Sequence, residues 1–196
     1  MSIVCAAVKN GEIAISADTL MSYGSLNASS VHRVNSSKLY RINDSVIGVV
    51  GWCAISTVLE HLIQKDGKQL RFGNRMEILE TLLDLHRKMK QDYFLESYED
   101  RDQPVESTQL NALIINARGL FEVCSDRSVS EFGTFWAIGS GRRVALGAMH
   151  ATYESPKTAR AIAEAGVAAA AEFDDGCGLP LRSEVMRLHS RMKLLF

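Results

Sequence analysis

The stretch from Met1 to Asp18, MSIVCAAVKNGEIAISAD, constrains this chain more than any other. Apolar residues on either side, Ile3, Val4, Ala6 and Val8 before and Ile13, Ala14 and Ile15 after, flank Asn10-Gly11. Asn-Gly accepts positive φ at both positions, the requirement of a two-residue turn between right-twisted strands, so a β-hairpin is expected. Ser2 stands directly behind the initiator methionine, at the start of the first strand. Removal of Met1 would leave a nucleophilic hydroxyl and a basic amine on one residue. A free α-amine titrates near ~8, close to what a general base needs at neutral pH. Such a pairing activates a weak hydroxyl nucleophile. Serine is also simply common after methionine, so Ser2 acquires a functional reading only from its companions.

The length suits one domain, residues 1–196, with a core of real size. Basic and acidic residues, 22 and 23, nearly cancel to a net charge of −1. The chain as a whole therefore has no electrostatic drive toward nucleic acid or a membrane surface. Neither a basic-then-apolar leader nor an apolar run approaching ~18 residues is present, so cytoplasmic residence without a membrane span is expected. Four cysteines, at 5, 53, 124 and 177, lack ligand-like spacing. Cys5 and Cys53 lie in apolar or small-residue segments and are expected as buried free thiols. The five histidines stand singly, and neither a metal nor a cofactor is expected.

Along the chain, Met21 to Ser37 is polar and reads as a loop. Lys38–Ile42 and Val46–Val50 predict a second hairpin around Asn43-Asp44. Apolar spacing of three and four predicts helices over 53–70 and 75–93, broken at Gly73-Asn74. Residues 95–107 are acidic, contain Pro104 and read as a mobile loop. A third hairpin around Arg118-Gly119, a strand over 133–138, and helices over 141–153 and 155–173 follow, the last capped by Ser155-Pro156. Residues 181–196, with four basic side chains among apolar ones, read as a basic amphipathic helical tail. This order of elements predicts an α+β fold, a four-layer αββα sandwich: two stacked antiparallel sheets with helix pairs on both outer faces.

A hydroxyl residue opening a strand-Asn-Gly-strand hairpin, the Ala17-Asp18 at its end, the Lys38-Leu-x-x-Ile-x-Asp-x-Val-Ile-Gly48 strand pair and a glycine at a helix start occur in that order. Ile138-Gly139-Ser140-Gly141 and Asp174-Asp175-Gly176-Cys177-Gly178 follow. From Ser2 to Gly178 the chain resembles the proteasome β-subunit family of N-terminal nucleophile hydrolases, and within it most resembles the betaproteobacterial proteasome homologues. The resemblance implies the same αββα fold and a self-compartmentalising peptidase. It also implies homo-oligomeric stacked rings that take peptide or unfolded protein, with an ATP-dependent unfoldase as activator.

Residue by residue, the resemblance implies Ser2 as nucleophile and its amine as base. Lys38 would stabilise the alkoxide and depress the pKa of the amine, and Asp18 would hold and orient Lys38. Gly51 matches the backbone oxyanion donor, reinforced by a helix start near Cys53. Ser140 and Asp174, with Asp175 the alternative to Asp174, match the pair around the amine. Met21, Val49 and Cys53 match the lining of the first specificity pocket, whose size suggests moderate apolar side chains. The interval from Asp18 to Lys38 is a few residues longer than the family usually shows, so Arg33 competes for the lysine's place. Trp52 stands where relatives have a small residue and would narrow the cleft or fill core. A strand lysine beside an aspartate is, taken alone, an ordinary ion pair, and Ser140 alone an ordinary helix cap. Two other functions fit the fold: a catalytically silent ring scaffold and a small-molecule amidase using the same serine.

Overall fold

The computed structural model of the chain describes residues 2–97 and 104–189. Strands β1 (Ile3–Lys9) and β2 (Glu12–Asp18) pair antiparallel from Val4↔Ala17 to Lys9↔Glu12. At their turn Asn10 and Gly11 take φ of 52° and 77°, the double left-handed conformation that Asn-Gly accepts. A short hairpin follows, β3 (Met21–Tyr23) and β4 (Leu26–Ala28). β5 (Leu39–Ile42) and β6 (Ser45–Gly51) turn at Asn43, whose φ is 51°. Helices α1 (Cys53–Asp66) and α2 (Arg75–Asp92) come next, and Asn74 caps α2 by accepting from the Met76 and Glu77 N–H groups. The remainder is β7 (Leu110–Asn116), β8 (Gly119–Val123), β9 (Val129–Phe132), β10 (Phe135–Gly139), α3 (Arg142–Tyr153), α4 (Ala159–Phe173) and β11 (Leu181–Arg187).

Two antiparallel sheets carry the architecture, one ordered β10-β1-β2-β11 and the other β5-β6-β7-β8-β9. Successive side chains of a strand point to opposite faces, and the apolar residues sort accordingly into three cores. Val4 and Ala6 of β1 meet Val46, Val50, Leu113 and Ile115 between the sheets. Ile3, Cys5 and Ala7 of the same strand face α3 and α4. Ile47 and Val49 of β6, with Ala112 and Ile114 of β7, face α1 and α2. Three cores between four layers make this the αββα sandwich. Burial of both faces explains why β1 and β6 read as unbroken apolar runs and not as alternating strands. No described helix is long and apolar enough to cross a membrane.

Several expectations about local structure are corrected. The polar stretch after Met21 contains the β3–β4 hairpin, turning at Gly24, and a short 3-10 turn over Ser30–His32. Three-residue strands carry too few side chains to show a period. The helix over 155–173 begins at Ala159, capped by Thr158, whose side chain accepts from the Ala161 N–H. Ser155 instead donates its hydroxyl to the Thr152 carbonyl at the end of α3. Residues 181–187 are not helical: β11 pairs with β2 from Leu181↔Asp18 to Arg187↔Glu12. The open edge of β2 offers seven residues of ladder, and that tertiary pairing overrides a weak helical spacing. The rest of the expected tail, 190–196, lies outside the described residues, as does 98–103 of the expected mobile loop.

Candidate active site

Antiparallel pairing delivers the chemistry to one end of the sandwich. Ser2 precedes β1, Asp18 ends β2, Lys38 precedes β5, Gly51 ends β6, and Ser140 follows β10. Ser2, Lys38 and Gly51 line one cavity. Asp18 is fully buried. Its Oδ1 accepts from the Ile3 N–H at 3.0 Å and from the Lys38 ammonium at 2.6 Å. Its Oδ2 accepts from the N–H groups of Leu20 and Gly178, each at 3.2 Å. An ionised carboxylate buried without partners costs several kcal/mol; four donors, one of them cationic, offset that here. Lys38 is thereby fixed beside the residue that follows Ser2.

Burial holds the Lys38 ammonium below the ordinary lysine range; the Asp18 carboxylate opposes this, and the Arg33 guanidinium adds slightly to the lowering. Arg33 does not take the lysine's place. Its guanidinium donates to the Asn35 carbonyl in its own loop.

On the other side of Ser2, its carbonyl accepts from the Ser140 N–H at 3.0 Å, with the Ser140 hydroxyl oxygen 3.4 Å away. Gly139, at φ 113°, allows this approach: a Cβ there would lie 2.0 Å from the Ser2 carbonyl oxygen. The Ser140 hydroxyl does not cap α3, whose cap is Gly141 without a side-chain bond. It donates to Asp174 Oδ1 at 2.9 Å. Asp174, not Asp175, is the partner. The same oxygen accepts from the Gly176 N–H and from the Cys177 thiol at 3.0 and 3.3 Å. Cys177 is buried beneath this pair, its Sγ 3.8 Å from the Ser140 hydroxyl. Burial, with the Asp174 hydrogen bond next, pushes its thiol up to about 12, so it acts as a neutral donor. Its part in the network is not apparent from residue type; the run Asp174–Gly178 that contains it is the signal.

No protein-family model matches the sequence, and no curated protein does. Solved structures do match. BPH of Thiobacillus denitrificans superposes with a TM-score of 0.90 at 36% identity, covering 96% of this chain and 99% of that one. This chain belongs to the betaproteobacterial proteasome homologues. The same relative in complex with epoxomicin matches at 37% identity and a TM-score of 0.89, over 95% and 99% of the two chains. A eukaryotic HslV from Trypanosoma brucei, 22% identical with a TM-score of 0.67 over 94% of this chain and 99% of its own, shares the fold.

In this proteasome homologue the cavity beside Ser2 is walled by Met21, Val49 and Cys53. Cys53, expected as a buried thiol, is exposed. It is the first residue of α1, and its side chain turns into the cavity and not into the core. Trp52 neither narrows this cavity nor fills core: it is 72% exposed and borders a separate groove with Tyr93 and Phe94. Gly51 has a φ of 132°, a backbone that side chains with a Cβ rarely adopt. One face of α1, Cys53, Ser56, Thr57 and Glu60 at spacings of three and four, continues the cavity wall. Tyr40 of β5 and, from the loop before it, Arg33, Asn35, Ser36 and Ser37 also line it. Burial, then the Glu60 carboxylate, pushes the Tyr40 phenol up to about 12. These polar wall residues escape a reading of the sequence because they come from a loop, a strand and a helix that only the fold brings together. Among the described residues no three His, Cys, Asp or Glu side chains converge to hold a metal ion.

Proposed function

We propose that this chain is a peptidase whose nucleophile is Ser2 after removal of Met1. Ser2 Oγ attacks the scissile carbonyl and passes its proton to the Ser2 amine, directly or through a water. The oxyanion forms against the Gly51 N–H at the end of β6, two residues before α1 begins. The leaving amine takes the proton from the Ser2 amine, and water then hydrolyses the acyl ester by the same route. Lys38, held by Asp18, stabilises the alkoxide and keeps the neighbouring amine unprotonated. The observation that carries this reading is the Asp18 carboxylate, which ties the Lys38 ammonium at 2.6 Å and the Ile3 N–H at 3.0 Å into one unit. The relative that binds epoxomicin, a peptide-like proteasome inhibitor, supports a peptide substrate.

Stacked homo-oligomeric rings in the cytoplasm, fed by an ATP-dependent unfoldase, belong to the same proposal. The surface of α2 lends it little support: Leu82, Leu85 and Met89 are buried in the chain's own core, while Met76 and Leu83 are exposed. Exposed Trp52 and Phe94 are the better support for a subunit contact. The test is one preparation of native protein whose intact mass shows Met1 removed, compared with its Ser2→Ala form. Peptide hydrolysis and covalent capture by hydroxyl-directed electrophiles should vanish in Ser2→Ala, while light scattering reports the same multi-subunit mass for both. Activity surviving in verified Ser2→Ala moves the nucleophile elsewhere. A monomer that retains activity removes the compartment and favours a small-molecule amidase.

A further inference from the structure

The cavity beside Ser2 carries two opposite charges that the reaction does not use. Arg33, from the loop before β5, and Glu60, from α1, both line it and are both half-buried. Neither forms an ion pair among the described residues, with each other or with a third group. Lys38, the other cation on the wall, is already neutralised by Asp18. The hydroxyls of Tyr40, Ser56 and Thr57 line it too. Met21 and Val49 add apolar wall, Val49 being buried. A surface that suits an aliphatic stem is thus combined in one cavity with a donor and an acceptor on different elements.

We propose that this cavity selects a side chain ending in a neutral carboxamide, glutamine before asparagine, in the substrate residue whose carbonyl Ser2 attacks. The inference rests on the peptidase reading, since attack by Ser2 places that residue's side chain in the cavity contiguous with it. Magnitudes decide among the four classes of side chain. A cation is drawn to Glu60 and repelled by Arg33; an anion experiences the reverse. Either gains little net attraction, yet must leave water, which is costly for an ion. A leucine fits against Met21 and Val49 but strips water from Glu60, Arg33 and three hydroxyls without offering them a partner, the situation that most penalises a ligand in a polar site. A carboxamide loses far less on desolvation than an ion and carries two donors and an acceptor on one planar group. It can donate toward Glu60 while accepting from Arg33. Glutamine has the longer aliphatic stem to lie against Met21 and Val49. Tyr40 favours this arrangement because its phenol, pushed up to about 12 by burial and then by the Glu60 carboxylate, remains protonated throughout the neutral range.

The reading makes two single substitutions push in opposite directions. Glu60→Gln leaves Arg33 as the net charge of the chamber and should favour an acidic side chain. Arg33→Met leaves Glu60 and should favour a basic one. The experiment uses the assembled, Met1-free protein and fluorogenic peptide amides that differ only in the residue before the scissile bond: Gln, Leu, Lys or Glu. Wild-type kcat/KM should be highest for Gln, by about tenfold over each of the others. Glu60→Gln should raise the Glu-to-Lys ratio about tenfold, and Arg33→Met should lower it by a similar factor. Because the two substitutions lie on different elements, failure of one variant to fold leaves the other decisive. A wild-type preference for Leu, Lys or Glu overturns the inference, as does a ratio that stays put or moves the wrong way in a folded variant; the peptidase reading survives both results. No hydrolysis of any of the four by Met1-free protein overturns that reading, and this inference with it.

Discussion

The two outer layers of the sandwich are built from different stock. Under α3 and α4 small residues predominate: Cys5, Ala7, Ala137, Ala145, Ala163 and Ala170 surround Ile3, Met149, Ile162 and Val167, with Gly166 in the middle of α4. Under α1 and α2 it is bulky: Phe72, Ile78, Leu82, Leu85, Leu62 and Phe121. Small side chains bring backbones together, so position there is set nearly by main chain against main chain. A Cβ on Gly166 would lie 2.8 Å from Met149 Cγ and 2.9 Å from Cys5 Sγ. Cys5 belongs to β1, the strand that presents Ser2. The bulky layer instead carries α1, one wall of the cavity beside Ser2. Ser2, the proposed nucleophile, therefore rests on the layer with least room to adjust, and that cavity wall on the layer that can repack.

The largest effect tests the site itself. Lys38→Ala should lower kcat by about 10³-fold or more, since it removes the charge beside the nucleophile and leaves Asp18 buried with three neutral donors. Arg33→Ala should cost far less in turnover on any one peptide. The reverse order, measured by steady-state kinetics, would show that the loop before β5 presents the wrong cation here. Next come the layers. Leu62→Ala opens a cavity in the bulky core and should cost about 2–5 kcal/mol by denaturant unfolding. Gly166→Val overfills the small core and should cost about 1–3 kcal/mol. At matched loss of stability, only Gly166→Val should also lower kcat. Equal kinetic damage from Leu62→Ala would break the contrast between the two layers.

The smallest effect lies on the outside of the bulky layer. Glu106 bonds to Lys90 and His86 of α2 at 2.5 and 3.0 Å. The Lys90 hydrogen bond, then that of His86, holds its carboxyl at about 2 in place of the ordinary 4.5. A carboxyl depressed on folding contributes stability that is present above about 4.5 and is lost as the pH falls toward 2. The Tm difference between the wild type and Glu106→Gln should therefore be constant at neutral pH, shrink through that acid window and weaken with salt. A gap that persists at pH 2 would assign the effect to packing and not to charge.

Legibility in the sequence follows the same physics. The opening hairpin was readable because Asn10-Gly11 encodes its turn locally, and the helices because their apolar spacing is sustained over fourteen residues or more in α1, α2 and α4. β11 was not, because what makes residues 181–187 a strand is the free edge of β2, more than 160 residues earlier in the chain. In the site, Asp18, Lys38, Ser140 and Asp174 were identifiable by their order along the chain, although order alone did not separate Lys38 from Arg33. Cys177 was marked only by the run around it, and Glu60 lacked even that. A cysteine that donates to a carboxylate and a glutamate that faces a cavity look, in one dimension, like any other.

Asp18 has a bearing on when the site comes into being. Its four donors arrive from residues 3, 20, 38 and 178, and Ser140 and Asp174 add two more late segments. Loop closure over such separations comes late in folding, after the local hairpins are in place. During synthesis the first thirty-eight residues can emerge, pair and even shed Met1 while the carboxylate still lacks its last partner. The strand that presents Ser2 is finished first and its surroundings last, so, on the peptidase reading proposed above, a half-made chain holds Ser2 but not the setting in which it would cut its neighbours.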